Sequence, residues 1–229
     1  MGATRCLTTV VRAMLMLVAS QAPAEANPRS ATGSPATRPL AMVVIGVAPA
    51  PKAFYPFCEK NPGECVVRGD AAAFRTTPER LAELEAVNRE VNGTIRQVTD
   101  LEHFGVSDVW GFPDDGAGDC EDFALLKRRK LITLGWPSGR LLITAALDQN
   151  REGHAVLTAV TDGGDVVLDN KRDDIRNWRS TGYSFLTRQS QEVPSRWVFT
   201  APPSEIQVAL KRANTGVGAR NMRAASGQR

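Results

Sequence analysis

Between Leu134 and Leu141 the chain changes its period, and that change limits the folds open to it. Upstream, Thr77-Pro78-Glu79 is a helix start: a hydroxyl cap, proline at the first position and an acid in the first turn. Leu81, Leu84, Val87 (or Asn88), Val91 and Ile95 follow at helical spacing, a single buried stripe that Asn92-Gly93 interrupts late. A second helix runs from about Cys120 to Leu134 and is ended by Gly135 with Pro137 beyond. Downstream, Leu141–Leu147, His154–Thr161, Val166–Asp169 and Arg196–Thr200 are short runs rich in β-branched and apolar residues. Asp162-Gly163-Gly164 is a hairpin turn between the second and third. Helices first and strands after predict an α+β fold, with helices packed on a mainly antiparallel sheet.

The N-terminus reads as a secretory signal over residues 1–26: Arg5 and Arg12, an apolar run Ala13–Ser20, then alanines at 22, 24 and 26. That run is short of the roughly 20 residues a membrane helix needs. The mature protein is therefore expected outside the cytoplasm, periplasmic or secreted. Residues 27–53 read as a linker rich in Ala, Pro, Ser and Thr, apart from the apolar patch Met42–Val47, which suits an edge strand. One domain is expected over 54–203, with a basic, polar tail over 204–229. The formal charge of +3 is scattered, and no basic stripe is interleaved with aromatics, which argues against nucleic-acid partners. Lys127-Arg128-Arg129-Lys130 is expected to be a solvated helix face.

The four cysteines divide. Cys6 falls in the leader. Cys58 and Cys65 lie close together in a Pro/Gly-containing segment, and in an oxidising compartment they read as a small-loop disulfide. Half a zinc site is the rival, but it lacks partners in a chain with two histidines. Cys120 is left over, at a helix N-terminus whose free N–H groups and dipole favour a thiolate and can hold an oxyanion. His154 starts one strand and Asp169 ends the next. Pairing those strands across the Asp162–Gly164 turn brings imidazole and carboxylate together, with a bulge allowed for. A thiol, a base and an orienting carboxylate are the parts of a thiol hydrolase. The bland alternatives stay open: Asp169 as a turn carboxylate making an Asx-type bond, and His103, at a helix-to-loop junction, as a surface residue.

Asp114, Asp115, Asp119, Glu121 and Asp122 crowd negative charge around the thiol and oppose its ionisation. Either they are helix-start acids favoured by the dipole, or a cation neutralises them; oxygen ligands in an irregular loop suit calcium.

Trp110-x-x-Pro113, Gly118-Asp119-Cys120-Glu121-Asp122-Phe123-Ala124-x-x-Lys127, Gly153-His154-Ala155-Val156-Leu157 and Leu168-Asp169-Asn170 together resemble the bacterial transglutaminase-like cysteine peptidases, among them the LapG-type periplasmic proteases. The cysteine pair upstream, Val91-Asn92 and Trp197-Val198 add to the likeness, which covers about 54–203. It implies a papain- or transglutaminase-like core and a Cys120–His154–Asp169 triad. It places Trp110 at the substrate cleft and a calcium site at Asp119 and Glu121, and it calls for no organic cofactor. Phe123 departs from the tyrosine common there. The resemblance further implies a protein substrate such as a surface adhesin, and an inner-membrane regulatory receptor. Three other readings stay open: a transglutaminase-type acyltransferase, a cell-wall peptide hydrolase of another thiol family, and a catalytically silent binding module on the same fold.

Overall fold

A computed structural model describes residues 41–212. The leader with Cys6, most of the expected linker and the end of the tail lie outside the described residues. Strand β1 (Val47–Ala48) and helix α1 (Phe54–Lys60) come first, then α2 (Pro78–Thr94), β2 (Arg96–Gln97), α3 (Asp100–Phe104), β3 (Ala117–Gly118) and α4 (Cys120–Thr133). The chain then becomes almost all strand: β4 (Leu141–Leu147), β5 (Gly153–Thr161), β6 (Gly164–Asp169), β7 (Arg172–Asn177), β8 (Ser184–Gln189) and β9 (Trp197–Phe199). Seven strands form one antiparallel sheet in the order β1-β9-β8-β4-β5-β6-β7, and β2 pairs with β3 in parallel beside it. The fold is α+β, as the change of period predicts.

Thr77 caps α2 by accepting the Arg80 N–H, and Gly93 is carried within the helix rather than breaking it. Leu84, Val87 and Val91 of α2 and Phe123, Ala124 and Leu131 of α4 pack on Leu141, Ile143, Leu157, Ala159 and Leu168 of the sheet. Trp136, just past α4, is buried and donates from Nε1 to Glu83 Oε2 at 2.9 Å, locking the two helices together. The opposite sheet face carries a smaller cluster of Met42, Ala146, Val156, Val167 and Phe185. Met42 also donates its N–H to Asp165 Oδ2, whose other partner is Arg188 at 2.7 Å, a buried ion pair. Residues from 42 onward thus belong to the packed body, with β1 as an edge strand on β9.

The basic run on α4 departs from expectation. Lys127 and Arg128 are each 1% exposed. Arg128 donates to Leu141 O and Glu64 O, both at 3.0 Å, and pairs with Glu64 Oε2. Burial pulls Lys127 down to about 7, with Asp169 and Asp173 pulling the other way. The middle of α4 lies against the sheet, so inward positions are buried whatever residue fills them. Here charges fill them because compensating acids arrive from elsewhere in the chain. Arg129 and Lys130 keep the surface role, paired with Glu64 and Glu90.

Candidate active site

Four segments converge at the start of α4. Gly118 ends β3 so close to the first turn that an added Cβ would sit 2.6 Å from Asp122 Oδ2; only glycine lets the chain pass there. Asp119 then donates its N–H to Asp122 Oδ2 at 3.2 Å, fixing that turn. Cys120 is the next residue and, among the described residues, the free cysteine. Cys58 and Cys65 form a disulfide that ties the end of α1 to the turn after it.

The thiol touches β5: the Ala155 N–H donates to Cys120 Sγ at 3.3 Å. His154 is the residue before, with a side chain 1% exposed. Its Nε2 lies 2.9 Å from Asp169 Oδ1. The β5–β6 ladder runs without a bulge from Thr161↔Gly164 to Leu157↔Leu168, so the imidazole reaches Asp169 from beyond the ladder's end. Asp169 also accepts the Lys171 N–H on Oδ1 at 3.0 Å, the Asx-type bond weighed above, and the Tyr183 hydroxyl on Oδ2 at 2.6 Å. The Asx-type bond and the His154 bond therefore coexist on one carboxylate. Burial pushes Asp169 up, but the His154 hydrogen bond and charge, the Tyr183 hydroxyl and the Lys171 amide outweigh it and hold the carboxyl at about 2. Asn92 of α2 donates to Asp169 O and Arg172 O, and Asn88 to Arg172 O and Asp173 O. These amides clamp the β6–β7 turn.

Because the folded pKa of Asp169 lies below its ordinary 3.8, the pair's contribution is complete above 3.8 and is lost as pH falls through about 2. That shift corresponds to about 2 kcal/mol. In urea unfolding between pH 5 and pH 2, the parent should lose about 2 kcal/mol more stability than Asp169→Asn. Equal losses would contradict the pairing.

Cys120, His154, Asp119, Glu121 and Trp110 line one cleft of about 330 Å³, together with Asp100 and Asp108. Trp110 is fixed there by edge contacts to Phe54 and Trp197 and by its Nε1–H to Asp108 Oδ1 at 3.0 Å. His103 stands apart: its Nε2 pairs with Asp115 at 2.7 Å in a neighbouring cavity.

The thiol's own proton goes to Glu121 Oε2 at 3.3 Å, not to His154. Burial pushes the thiol well up, and the charges of Glu121 and Asp119 add to the rise. Burial and Asp119 likewise push Glu121 up to about 10, and burial pushes Asp122 to about 7. Asp100, at the start of α3, completes the cluster; sequence reading missed it because nothing in a 19-residue separation links it to Asp119. Carboxylate oxygens of Asp100, Asp119 and Asp122 lie within 4.8 Å of one another, and Asp119 and Glu121 share a similar grouping with the Cys120 sulfur. Asp100 Oδ1 and Asp119 Oδ1 are buried without a hydrogen-bond partner. Buried carboxylate oxygens without a partner are costly, and oxygen donors fit a hard divalent cation.

Residues 44–204 match the model of the family described as bacterial transglutaminase-like cysteine proteinase BTLCP. No curated protein matches the chain by sequence. The chain is similar to a solved structure of LapG from Legionella pneumophila, at 26% identity and a TM-score of 0.46 over 61% of this chain and 81% of that one. A calcium-bound form of the same protein aligns at 25% identity and 0.45 over 60% and 82%. An EGTA-treated form gives 25% and 0.45 over 61% and 81%. With a family match spanning most of its length, this chain belongs to the bacterial transglutaminase-like cysteine proteinases and is a cysteine peptidase.

Proposed function

We propose that the chain is an exported endopeptidase that hydrolyses surface or periplasmic proteins with a Cys120–His154–Asp169 triad. The observation that carries the reading is the buried His154–Asp169 pair beside a thiol held by the next amide of the same strand, at 2.9 Å and 3.3 Å. With Asp169 ionised and acceptor-only, Nε2 of His154 carries the proton of that bond. Nδ1 is then the basic nitrogen available to take the Cys120 proton and return it to the leaving amine. The Cys120 sulfur attacks the scissile carbonyl, the amine leaves with the proton from His154, and water then cleaves the thioester. Open N–H groups at the first turn of α4 are the donors for the oxyanion.

Asp100, Asp119 and Glu121 would hold a calcium ion. The bound ion would neutralise carboxylates beside the thiol, lowering the electrostatic cost of the thiolate. His154 and Asp169 do the proton handling with or without that neutralisation.

Membership of the family, rather than any motif, suggests a surface adhesin as substrate and an inner-membrane receptor as regulator. Terminal mapping of an exported protein fraction, incubated with and without the enzyme, tests the reading. New N-termini clustered in a few surface proteins are the expected outcome. Crosslinked products without new termini would favour acyl transfer instead.

A further inference from the structure

Asp169 is reached from a strand that is not its neighbour. Tyr183 immediately precedes β8, which β4 and β5 separate from β6 in the sheet. Its hydroxyl lies 2.6 Å from Asp169 Oδ2, the oxygen that His154 does not use. Its ring stands at 90° to the His154 ring with centroids 5.5 Å apart, and leans on Phe185 at 6.2 Å. One phenol thus touches both the imidazole and its carboxylate. The direction of its bond is set chemically: an ionised carboxylate only accepts, so Tyr183 donates. Burial and Asp169 both push the phenol up, so it keeps its proton at neutral pH. Its approach is anchored in turn, since the Tyr183 N–H donates to Thr181 Oγ1 at 3.1 Å and Gly182 takes a φ of 76° that favours glycine.

The geometry points to Tyr183 as a positioning residue of the peptidase: its hydroxyl pins one carboxylate oxygen of Asp169 and its ring walls the imidazole, so that the other oxygen stays aligned with His154 Nε2. This rests on the triad proposed above. Tyr183 acts through Asp169, and removing its hydroxyl matters only while Asp169 works on His154. A side chain that merely filled space would be replaced by phenylalanine without effect, because the ring remains.

The test uses the full chain in parent, Tyr183→Phe, Asp169→Asn and doubly substituted forms. Alkylation by iodoacetamide at neutral pH is timed on the peptide that carries Cys120, and the proton bonded to the His154 ring is followed by NMR. The chain has two histidines, so His103→Gln identifies the His154 signal. Tyr183→Phe is expected to slow alkylation about tenfold, the size for one hydrogen bond to a charged group. It should also move or broaden the His154 signal while circular dichroism at the assay temperature shows the fold retained. Asp169→Asn should slow alkylation further, and adding Tyr183→Phe to it should change nothing more. Unchanged alkylation and an unchanged His154 signal in Tyr183→Phe would overturn the proposal. So would losses that multiply in the double variant. If Asp169→Asn alone alkylates at the parent rate, the triad itself is wrong and the role of Tyr183 falls with it. A failure of Tyr183 alone leaves Asp169→Asn slow, which separates the two cases.

Discussion

Cys120→Ala should cut hydrolysis of a cleaved surface protein by roughly 10⁴-fold or more, the scale seen when a triad nucleophile is removed. The loss should be chemical rather than structural. The side chain is small, and the backbone bonds that hold the start of α4 do not use the sulfur: Asp119 N–H to Asp122 Oδ2 and Phe123 N–H to Asp119 O both survive. The Ala155 N–H loses its sulfur acceptor, a weak one, so thermal stability should change little. Removing the thiol also removes a weak S–H donor to Glu121, a small cost. A variant that unfolds at the parent temperature and cleaves nothing is the expected pairing. It is read by circular dichroism and by terminal mapping. Retained cleavage would return Cys120 to an ordinary half-buried thiol.

Calcium should raise the unfolding temperature by roughly 10 °C when it is present about a thousandfold above its dissociation constant. The reasoning is electrostatic. Asp100, Asp119 and Glu121 line the cleft with Asp122 grouped beside Asp100 and Asp119, and the unpartnered oxygens of Asp100 and Asp119 find no protein donor. Removing charge should therefore act in opposite directions with and without the ion. In chelator, Asp119→Asn combined with Glu121→Gln should unfold at a higher temperature than the parent, because burying the Glu121 carboxyl beside Asp119 no longer costs stability. In calcium the order should reverse, because the ligands are gone. Scanning calorimetry of both proteins in both conditions gives four numbers and one crossing. A parent that does not respond to calcium would leave these residues as helix-start acids.

What was legible in the sequence followed from local rules. The Thr77-Pro78 start of α2, the Gly135 stop of α4 and the bounds of β4 are set by neighbours a few residues away, and the structure puts them within a residue or two. Cys120, His154 and Asp169 stood out because a helix start and one hairpin confine them. What stayed hidden depends on partners far along the chain. Strand β7, Arg172–Asn177, is a charged sheet edge held to α2 by Asn88 and Asn92, so it lacks an apolar alternation. Strand β8 conceals its core position behind Arg188, buried only because Asp165 meets it. Lys127 and Arg128 read as surface for the same reason. Asp100 and Tyr183 reach the site from elements whose own sequence says nothing of it.

The most direct measurement couples chemical occupancy of one atom to turnover. The enzyme is treated with increasing iodoacetamide; the fraction of Cys120 alkylated is read by peptide mass spectrometry, and cleavage of a mapped surface protein is followed in the same samples. The expected result is a straight line through zero, with residual activity equal to the unmodified fraction. Full alkylation of Cys120 with undiminished cleavage would contradict the account.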